Sequence, residues 1–139
     1  MKTKIYNYYP DTARAVREEV FISEQGFSYD YDETDDIAVH IVLEEEGQTV
    51  GVCRVFKGEN EGEFVLGRLA VKKEHRNGGI GSAVLREALK YVTSEGGKAL
   101  TLHSQLQAKA FYEKNGFEPF GEIEYEEGCP HIWMKKDTV

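Results

Sequence analysis

The chain has 139 residues, a formal net charge of −8 at pH 7, and 40% apolar and 12% aromatic residues. This length and apolar content suit one packed domain over residues 1–139 and exclude a disordered chain. The negative charge argues against nonspecific nucleic-acid binding. No apolar run approaches the ~20 residues of a membrane helix, and the first residues lack a signal-peptide pattern, so we expect no membrane contact and a cytoplasmic location.

The first half of the chain predicts a strand, a helix, a polar loop and a hairpin. "KIYNYY" (4–9) alternates as a strand, and Pro10 and Asp11 favour the start of a helix that ends near Ser23. "GFSYDYDETDD" is typical of a polar loop or short helical turn. "IAVHIVLEE" and "GQTVGVCRVFK" predict two strands that meet at Glu46-Gly47.

The second half predicts an alternation of strands and helices. "EFVLGRLAV" predicts a strand, and "GSAVLREALKYVTSEGG" places apolar residues at helical spacing before a Gly-Gly stop. "KALTLHS" predicts a short strand and "QAKAFYEKNG" a helix. "FEPFGEIEYEEG" and "PHIWMKK" predict a closing antiparallel pair.

Charge is distributed unevenly along the chain. Residues 18–53 contain eleven Asp and Glu but no Lys or Arg, which predicts an anionic surface. Residues 68–114 contain nine Lys and Arg against four Glu. The first region could attract a cationic ligand and the second an anionic one, although both could equally be ordinary solvated surfaces.

The two cysteines, Cys53 and Cys129, lie far apart and show no metal-ligand spacing. The sequence therefore predicts neither a disulfide framework nor a metal site. Both thiols are interpreted as buried or bystander groups.

The glycine turn, residues 76–81, joins the strand that ends at Val71 to a predicted helix. Its glycines let the backbone approach a ligand, and the first amides of the helix are free to bind phosphate. Arg76, with Lys72 and Lys73 nearby, adds positive charge. The order matches neither the nucleotide-binding GxxxxGK[ST] loop nor a GxGxxG dinucleotide turn. A turn that merely requires glycine is the competing interpretation.

Two stretches resemble signatures of the GNAT N-acetyltransferases. Arg76-x-x-Gly79-x-Gly81, preceded by "LAV", resembles the first signature of that superfamily, and "QLQAKAFYEKNGF" (105–117) resembles the second. "VREEVFISEQ", "VHIVL" and "EEGCPHIWM" further resemble the small ElaA-like subgroup. The resemblance implies an α/β (α+β) GNAT fold, in which about four helices flank a mixed, mostly antiparallel sheet of about six to seven strands.

The resemblance also implies a site for acetyl-CoA as cosubstrate, without a metal. The backbone of Leu69, Ala70 and Val71 would pair with the pantetheine arm, and Gln105 would supply an amide where the family often has Asn. Tyr112 would protonate the departing thiolate. The amides that would hold the pyrophosphate are those of Arg76, Asn77, Gly78, Gly79, Ile80, Gly81 and Ser82.

The acceptor implied by the resemblance is a primary amine of a small molecule or peptide. An alkylamine is mostly protonated at neutral pH, so a base or a water relay is needed. Glu24 is the first candidate, and Arg17 could pair with Glu24 or with an acidic substrate group. The other candidate bases are His40, His103, Glu126 and His131.

Two other functions stay open at this stage. The chain could be a CoA-binding regulatory module without turnover, or a protein-binding domain in which the glycine turn is structural only. A homodimer is a further expectation from the resemblance.

Overall fold

The computed structural model describes residues 1–138, which form a seven-stranded sheet with helices on both faces. The strands are β1 (Lys2–Tyr6), β2 (Val39–Glu45), β3 (Gln48–Lys57), β4 (Glu63–Val71), β5 (Ala99–Gln105), β6 (Glu118–Glu126) and β7 (Cys129–Asp137). The α-helices are α1 (Asp11–Arg17), α2 (Thr34–Ile37), α3 (Ile80–Ser94) and α4 (Lys109–Lys114). A π-helical segment, Glu18–Glu24, continues α1, and short 3₁₀ turns at Lys73–His75 and Leu106–Ala108 precede α3 and α4.

The strands are arranged in the order β1-β2-β3-β4-β5-β7-β6. Every neighbouring pair is antiparallel except β4 and β5, which are parallel. Helix α3 makes the crossover that a parallel pair requires. The predicted fold class, a mostly antiparallel sheet of six to seven strands with about four helices, is confirmed.

The sheet has an apolar core on each face. Helix α3 presents a buried stripe to one face, where it packs with Tyr112 and Phe117 against residues of β2 to β5. Helix α1 covers the other face with Ala13 and Val16, which pack on Val42 of β2 and on β3 and β4. Since burying one large aliphatic side chain contributes about 1.5–3 kcal/mol, these two layers hold β2, β3 and β4 between helices.

The prediction for the first strand was wrong in its bounds. Strand β1 pairs with β2 from Lys2 to Tyr6 and does not reach Tyr9. Tyr9 leaves the strand because its ring stacks on His40 at 5.1 Å and lies under the Arg17 guanidinium at 4.3 Å.

The first helix has the predicted extent but a different hydrogen-bond pattern. The α-helical part ends at Arg17, and the remainder is π-helical, with the Gln25 N–H donating to the carbonyl of Val20 at 3.0 Å. The apolar spacing used for the prediction does not distinguish these two helix types. The π-helical segment brings Val20 and Glu24 to the edge of a groove, and π-turns are frequent at functional sites.

Candidate active site

The glycine turn has the backbone that phosphate binding requires. Asn77 and Gly79 have positive φ angles of 66° and 83°, and a Cβ added at Gly79 would have no heavy atom within 4 Å. The need for glycine at residue 79 is therefore conformational. The first α-helical bond runs from the Ala83 N–H to the Gly79 carbonyl at 3.0 Å, so the amides of residues 80–82 lie at the open end of α3.

Strands β4 and β5 separate just beside this turn. Their pairing runs from Glu63↔Ala99 to Leu66↔Leu102, although β4 continues to Val71 and β5 to Gln105. The cause is a bulge in β4, where Arg68 has a φ of 51° and the register with β3 shifts. The bulge bends β4 away from β5 and leaves the backbone after it paired with β3 alone.

A groove of about 1180 Å³ occupies this split and extends over the glycine turn. It is lined by every residue predicted to bind the cofactor except Gly78. Tyr112 and Glu24 also line it. Residues of four separated segments are therefore gathered on one groove.

A second cavity of about 660 Å³ meets the groove from the α1 side of the sheet. Leu69, Gln105 and Tyr112 line both spaces. The arrangement has the geometry of two ligand sites that share a junction, with a tyrosine at the junction.

Tyr112 is held rigidly at that junction. Its ring packs edge-on against Phe111 and Phe117, with centroid distances of 5.1 and 5.9 Å, and the residue is 8% exposed. Burial raises the pKa of the Tyr112 hydroxyl above its ordinary value. The hydroxyl is therefore protonated at neutral pH and is available as a proton donor, and its burial makes it a weaker acid than an ordinary tyrosine.

Glu24 lies against Arg76 at the mouth of the groove. The Arg76 guanidinium donates to the two carboxylate oxygens of Glu24 at 2.5 and 2.6 Å. This hydrogen bond lowers the pKa of Glu24, which makes Glu24 a weaker base. Its role as general base stays a prediction that this geometry does not favour.

Gln105 takes part in a chain of side-chain amides across the split. Its Nε2 donates to Oε1 of Gln25 at 2.9 Å, and Nε2 of Gln107 donates to its Oε1 at 2.9 Å. Gln105 thereby connects the end of the π-helical segment to β5. The longer side chain of glutamine is what allows this reach.

Three of the candidate bases lie together on the second cavity, whereas the fourth does not. Glu126 Oε1 is 3.4 Å from His103 Nδ1, and Glu126 Oε2 is 3.3 Å from His131 Nε2. His40 is fully buried beneath Tyr9, donates from Nε2 to the Asp35 carbonyl at 3.0 Å, and lines neither space. His40 as a base was therefore a wrong expectation, and the residue is structural.

The predicted anionic surface over residues 18–53 is wrong for the central loop. Asp30 and Asp35 are buried, and Arg17 pairs with both at 2.7 Å, not with Glu24. Arg54 and Arg68 close the same group by pairing with Asp32. We call these three arginines and three aspartates the Arg–Asp cluster. Its charges balance because the arginines come from α1, β3 and β4, all three from outside the acidic stretch 18–53.

The Arg–Asp cluster forms one wall of the second cavity, through Asp30, Asp32, Arg54 and Arg68. The sequence analysis missed it. A usable signal was present, because Arg54 stands between apolar residues in the middle of a strand, and an arginine there requires a buried partner.

Cys53 is buried and Cys129 is partly exposed, and both are free thiols. Within residues 1–138, no three His, Cys, Asp or Glu side chains are grouped to hold a metal ion. In the same residues, no helix combines the length and apolar character needed to cross a membrane.

Comparison with known proteins agrees with this geometry. A family profile described as "Acetyltransferase (GNAT) domain" matches residues 9–138. YjcF of Bacillus subtilis, named as an uncharacterized N-acetyltransferase, is 34% identical over 125 residues, covering 88% of each chain.

Two solved structures illustrate the similarity in three dimensions. Escherichia coli ElaA superposes with a TM-score of 0.84 and 26% identity, covering 97% of this chain and 98% of ElaA. An aminoglycoside 6'-N-acetyltransferase complexed with coenzyme A shares the fold, with a TM-score of 0.77, 17% identity and coverage of 100% and 98%. The protein therefore belongs to the acetyltransferase (GNAT) family, is an acyltransferase of that type, and resembles the ElaA-like subgroup.

Proposed function

We propose that the protein transfers the acetyl group of acetyl-CoA to a primary amine by direct attack in a ternary complex. The observation that supports this most is the junction of the large groove and the second cavity at Tyr112. Two ligands that enter from opposite sides of the sheet would place their reacting groups together there. No covalent enzyme intermediate is needed in such an arrangement.

The residues on the groove fit acetyl-CoA. The backbone of residues 69–71, which pairs with β3 on one side only, would receive the pantetheine arm as an added strand. The amides of residues 76–82 and the Arg76 guanidinium would hold the pyrophosphate. Glu24 would then orient Arg76 instead of accepting a proton. A solved protein of the same fold is complexed with coenzyme A, which supports this assignment.

The proposed chemistry requires one acid and one neutral amine. The amine nitrogen attacks the thioester carbonyl, a C–N bond forms, and the C–S bond breaks. Tyr112, whose hydroxyl stays protonated at neutral pH, donates its proton to the thiolate as the C–S bond breaks. The N–H proton that the attacking nitrogen loses then returns to the Tyr112 oxygen, so the hydroxyl is restored. The acceptor enters by the second cavity, whose size suits a small molecule or the end of a peptide.

We further propose that residues 1–139 act as one GNAT domain in the cytoplasm, where acetyl-CoA would be supplied. A homodimer remains an expectation from the family resemblance.

A calorimetric titration with acetyl-CoA tests the cosubstrate assignment. An Arg76→Glu variant places a negative charge at the pyrophosphate site, and we expect its affinity to fall by roughly tenfold to a hundredfold, the range for a charge-assisted contact. Arg86→Glu is the matched control, since Arg86 is exposed on α3 and lies outside the groove. Failure of the folded parent to bind acetyl-CoA would refute the proposal.

Release of CoA with a panel of primary amines tests turnover. Tyr112→Phe should retain acetyl-CoA affinity and lose kcat by about 10²-fold or more, the usual contribution of a general acid. Binding without amine-dependent release would instead identify a CoA-binding module. An equal loss of acetyl-CoA affinity and of kcat would show that Tyr112 contributes only to packing.

A further inference from the structure

The uncompensated charge of the second cavity is concentrated on one wall. On the opposite wall, the Arg–Asp cluster balances its own charges. What remains on the cavity is a set of histidines and glutamates from β5, β6 and β7, which includes His103, His131 and Glu126, with Glu127 in the turn between the last two strands. The cavity therefore favours a ligand with a positive charge.

His103 occupies a distinctive place in the sheet. It follows Leu102, the last β5 residue paired with β4, so it stands at the point where the two strands separate. Its ring is stacked between Trp133 at 4.7 Å and His131 at 4.9 Å. Both stacking partners come from β7, where Trp133 is directly opposite His103. The imidazole is thus held in one orientation beside the junction of the two spaces.

The polar groups that contact His103 form a path to solvent. Nδ1 of His103 is 3.4 Å from Glu126, whose side chain is 58% exposed and which also contacts His131. The carbonyl of Cys129 is 2.8 Å from Nδ1 of His131 and fixes that ring. Nε2 of His103 is buried and makes no hydrogen bond within residues 1–138, although Glu124 lies 3.1 Å away in an unsuitable direction.

The rest of the cavity wall is apolar and aromatic. Six Phe, Tyr and Trp side chains line it, namely Phe21, Phe27, Tyr29, Phe56, Tyr112 and Trp133. A ligand that fills this space would combine an apolar body with one polar, positively charged end.

We infer that the acceptor is a primary alkylammonium ion with an apolar body, and that His103, backed by Glu126, is the base that deprotonates it. This inference rests on the proposed function. The ammonium N–H proton passes to an imidazole nitrogen of His103, then to the Glu126 carboxylate, and leaves to solvent from that exposed side chain. The neutral amine then attacks the thioester as described above. His131 is a positioning residue, because it holds Glu126 and does not reach the amine.

Other titratable groups face this site. Glu124 contacts His103 directly. Burial alone would raise the pKa of Asp32, but the hydrogen bond from Arg54 and the attraction of nearby arginines outweigh it, so the pKa is lowered. The remaining titratable or charged groups on the cavity are Tyr29, Asp30, Arg54, Arg68, Tyr112 and Glu127. Because its pKa is lowered, Asp32 stays ionised near neutral pH, and the pH at which a His103 variant recovers its rate would be set by the acceptor amine.

The test compares two acceptors of similar shape with different protonation states. Benzylamine is a cation at neutral pH, whereas aniline is already neutral and needs no base before attack. His103→Gln should lower kcat/KM for benzylamine by about 10²-fold or more and lower that for aniline only slightly. The benzylamine deficit should shrink as the pH rises toward the pKa of benzylamine itself, because the free amine then forms in solution.

Glu126→Gln should also lower kcat/KM for benzylamine more than that for aniline, but by a smaller factor. Glu122→Gln is the matched control and should have no effect, because Glu122 is exposed on β6 and does not line the cavity. All variants should bind acetyl-CoA with unchanged affinity, which shows that they are folded. Equal losses for both amines at every pH would overturn the inference and leave the proposed function intact. Release of CoA with other primary amines but not with benzylamine would also overturn the inference alone. A wild-type protein that binds acetyl-CoA but releases no CoA with any amine of the panel would instead overturn the proposed function, and the inference with it.

Discussion

The glycine turn and the Arg–Asp cluster are the two charged regions of this protein, and the fold treats them in opposite ways. In the turn, residues 77–79 stay exposed, and Arg76 beside the open end of a helix makes a solvent-accessible pair with Glu24. In the cluster, aspartates of residues 30–35 meet arginines from three other elements, and Asp30, Asp35 and Arg17 are buried. The comparison teaches that a run of like charges in a sequence does not by itself indicate a charged surface.

The two regions also differ in how their charges affect stability. A buried ion pair costs much of its attraction in lost hydration, so the cluster need not stabilise the fold relative to an apolar core. Removing one partner leaves the others buried without compensation. The exposed turn carries no such penalty, because water solvates whichever charge remains.

The largest expected effect on stability comes from removing Arg17 from the cluster. Arg17 is 1% exposed and holds both Asp30 and Asp35. Arg17→Ala should lower the free energy of unfolding by about 3–5 kcal/mol, as measured by urea denaturation. Arg14→Ala, an exposed arginine one turn earlier on α1, should change it by less than about 0.5 kcal/mol. Similar losses in the two variants would show that the cluster is not the cause.

Acid should weaken the cluster. Burial alone would raise the pKa of Asp35, but hydrogen bonding and attraction to Arg17 outweigh it and lower the pKa to about 2 from an ordinary value of 3.8. A carboxylate whose pKa is lower in the folded state stabilises the fold at pH values above its unfolded-state pKa. The free energy of unfolding should therefore fall by roughly 2 kcal/mol as the pH is lowered from about 4 to 2. Asp35→Asn should remove this slope in pH-dependent unfolding, and exposed Asp36→Asn should keep it. Identical slopes would contradict the assignment.

The glycine turn can be tested with two adjacent glycines. Gly79→Ala must place a side chain at a φ of 83°, so we expect a loss of about 1–2 kcal/mol in unfolding free energy. Gly78→Ala has no positive φ and would meet only the His75 carbonyl at 3.9 Å, an ordinary contact. It should be nearly neutral in thermal unfolding. Equal effects at the two positions would show that left-handed backbone is not what requires glycine.

The smallest expected effect is that of salt concentration on acetyl-CoA binding. Exposed contacts such as those at Arg76 are worth up to about 1 kcal/mol and are screened by ions. Acetyl-CoA affinity should therefore weaken as the sodium chloride concentration is raised. The dependence of the unfolding free energy on pH that Asp35 causes should hardly change. A salt-insensitive affinity would mean that the turn contributes little charge to binding.

Much of the candidate site was predictable because its parts are local. The glycine turn, the strand before it and the helix after it are consecutive in sequence, and their residue types follow from backbone freedom and helix geometry. Tyr112 was found by resemblance to a short motif. By contrast, the cluster depends on pairs separated by up to 38 residues, and no local pattern specifies which arginine meets which aspartate.

The choice among candidate bases shows the same limit. Glu24 was the first candidate, and sequence alone did not rank His40, His103, Glu126 and His131 behind it. The pairing of strands determines which of these four lie on the second cavity. Antiparallel register places His103 opposite Trp133 and Gln105 opposite His131, whereas His40 is carried beneath Tyr9 on the far strands. A shift of one residue would have turned each side chain to the other face of the sheet.

The sequence by itself determined the element types, the glycine turn and the family, because apolar period and backbone preference act over a few neighbouring residues. Only the tertiary structure decided where the charges are compensated and which titratable groups share the cavity at Tyr112. The reason is physical, since electrostatic partners and cavity walls are set by distances across the sheet and not by spacing along the chain.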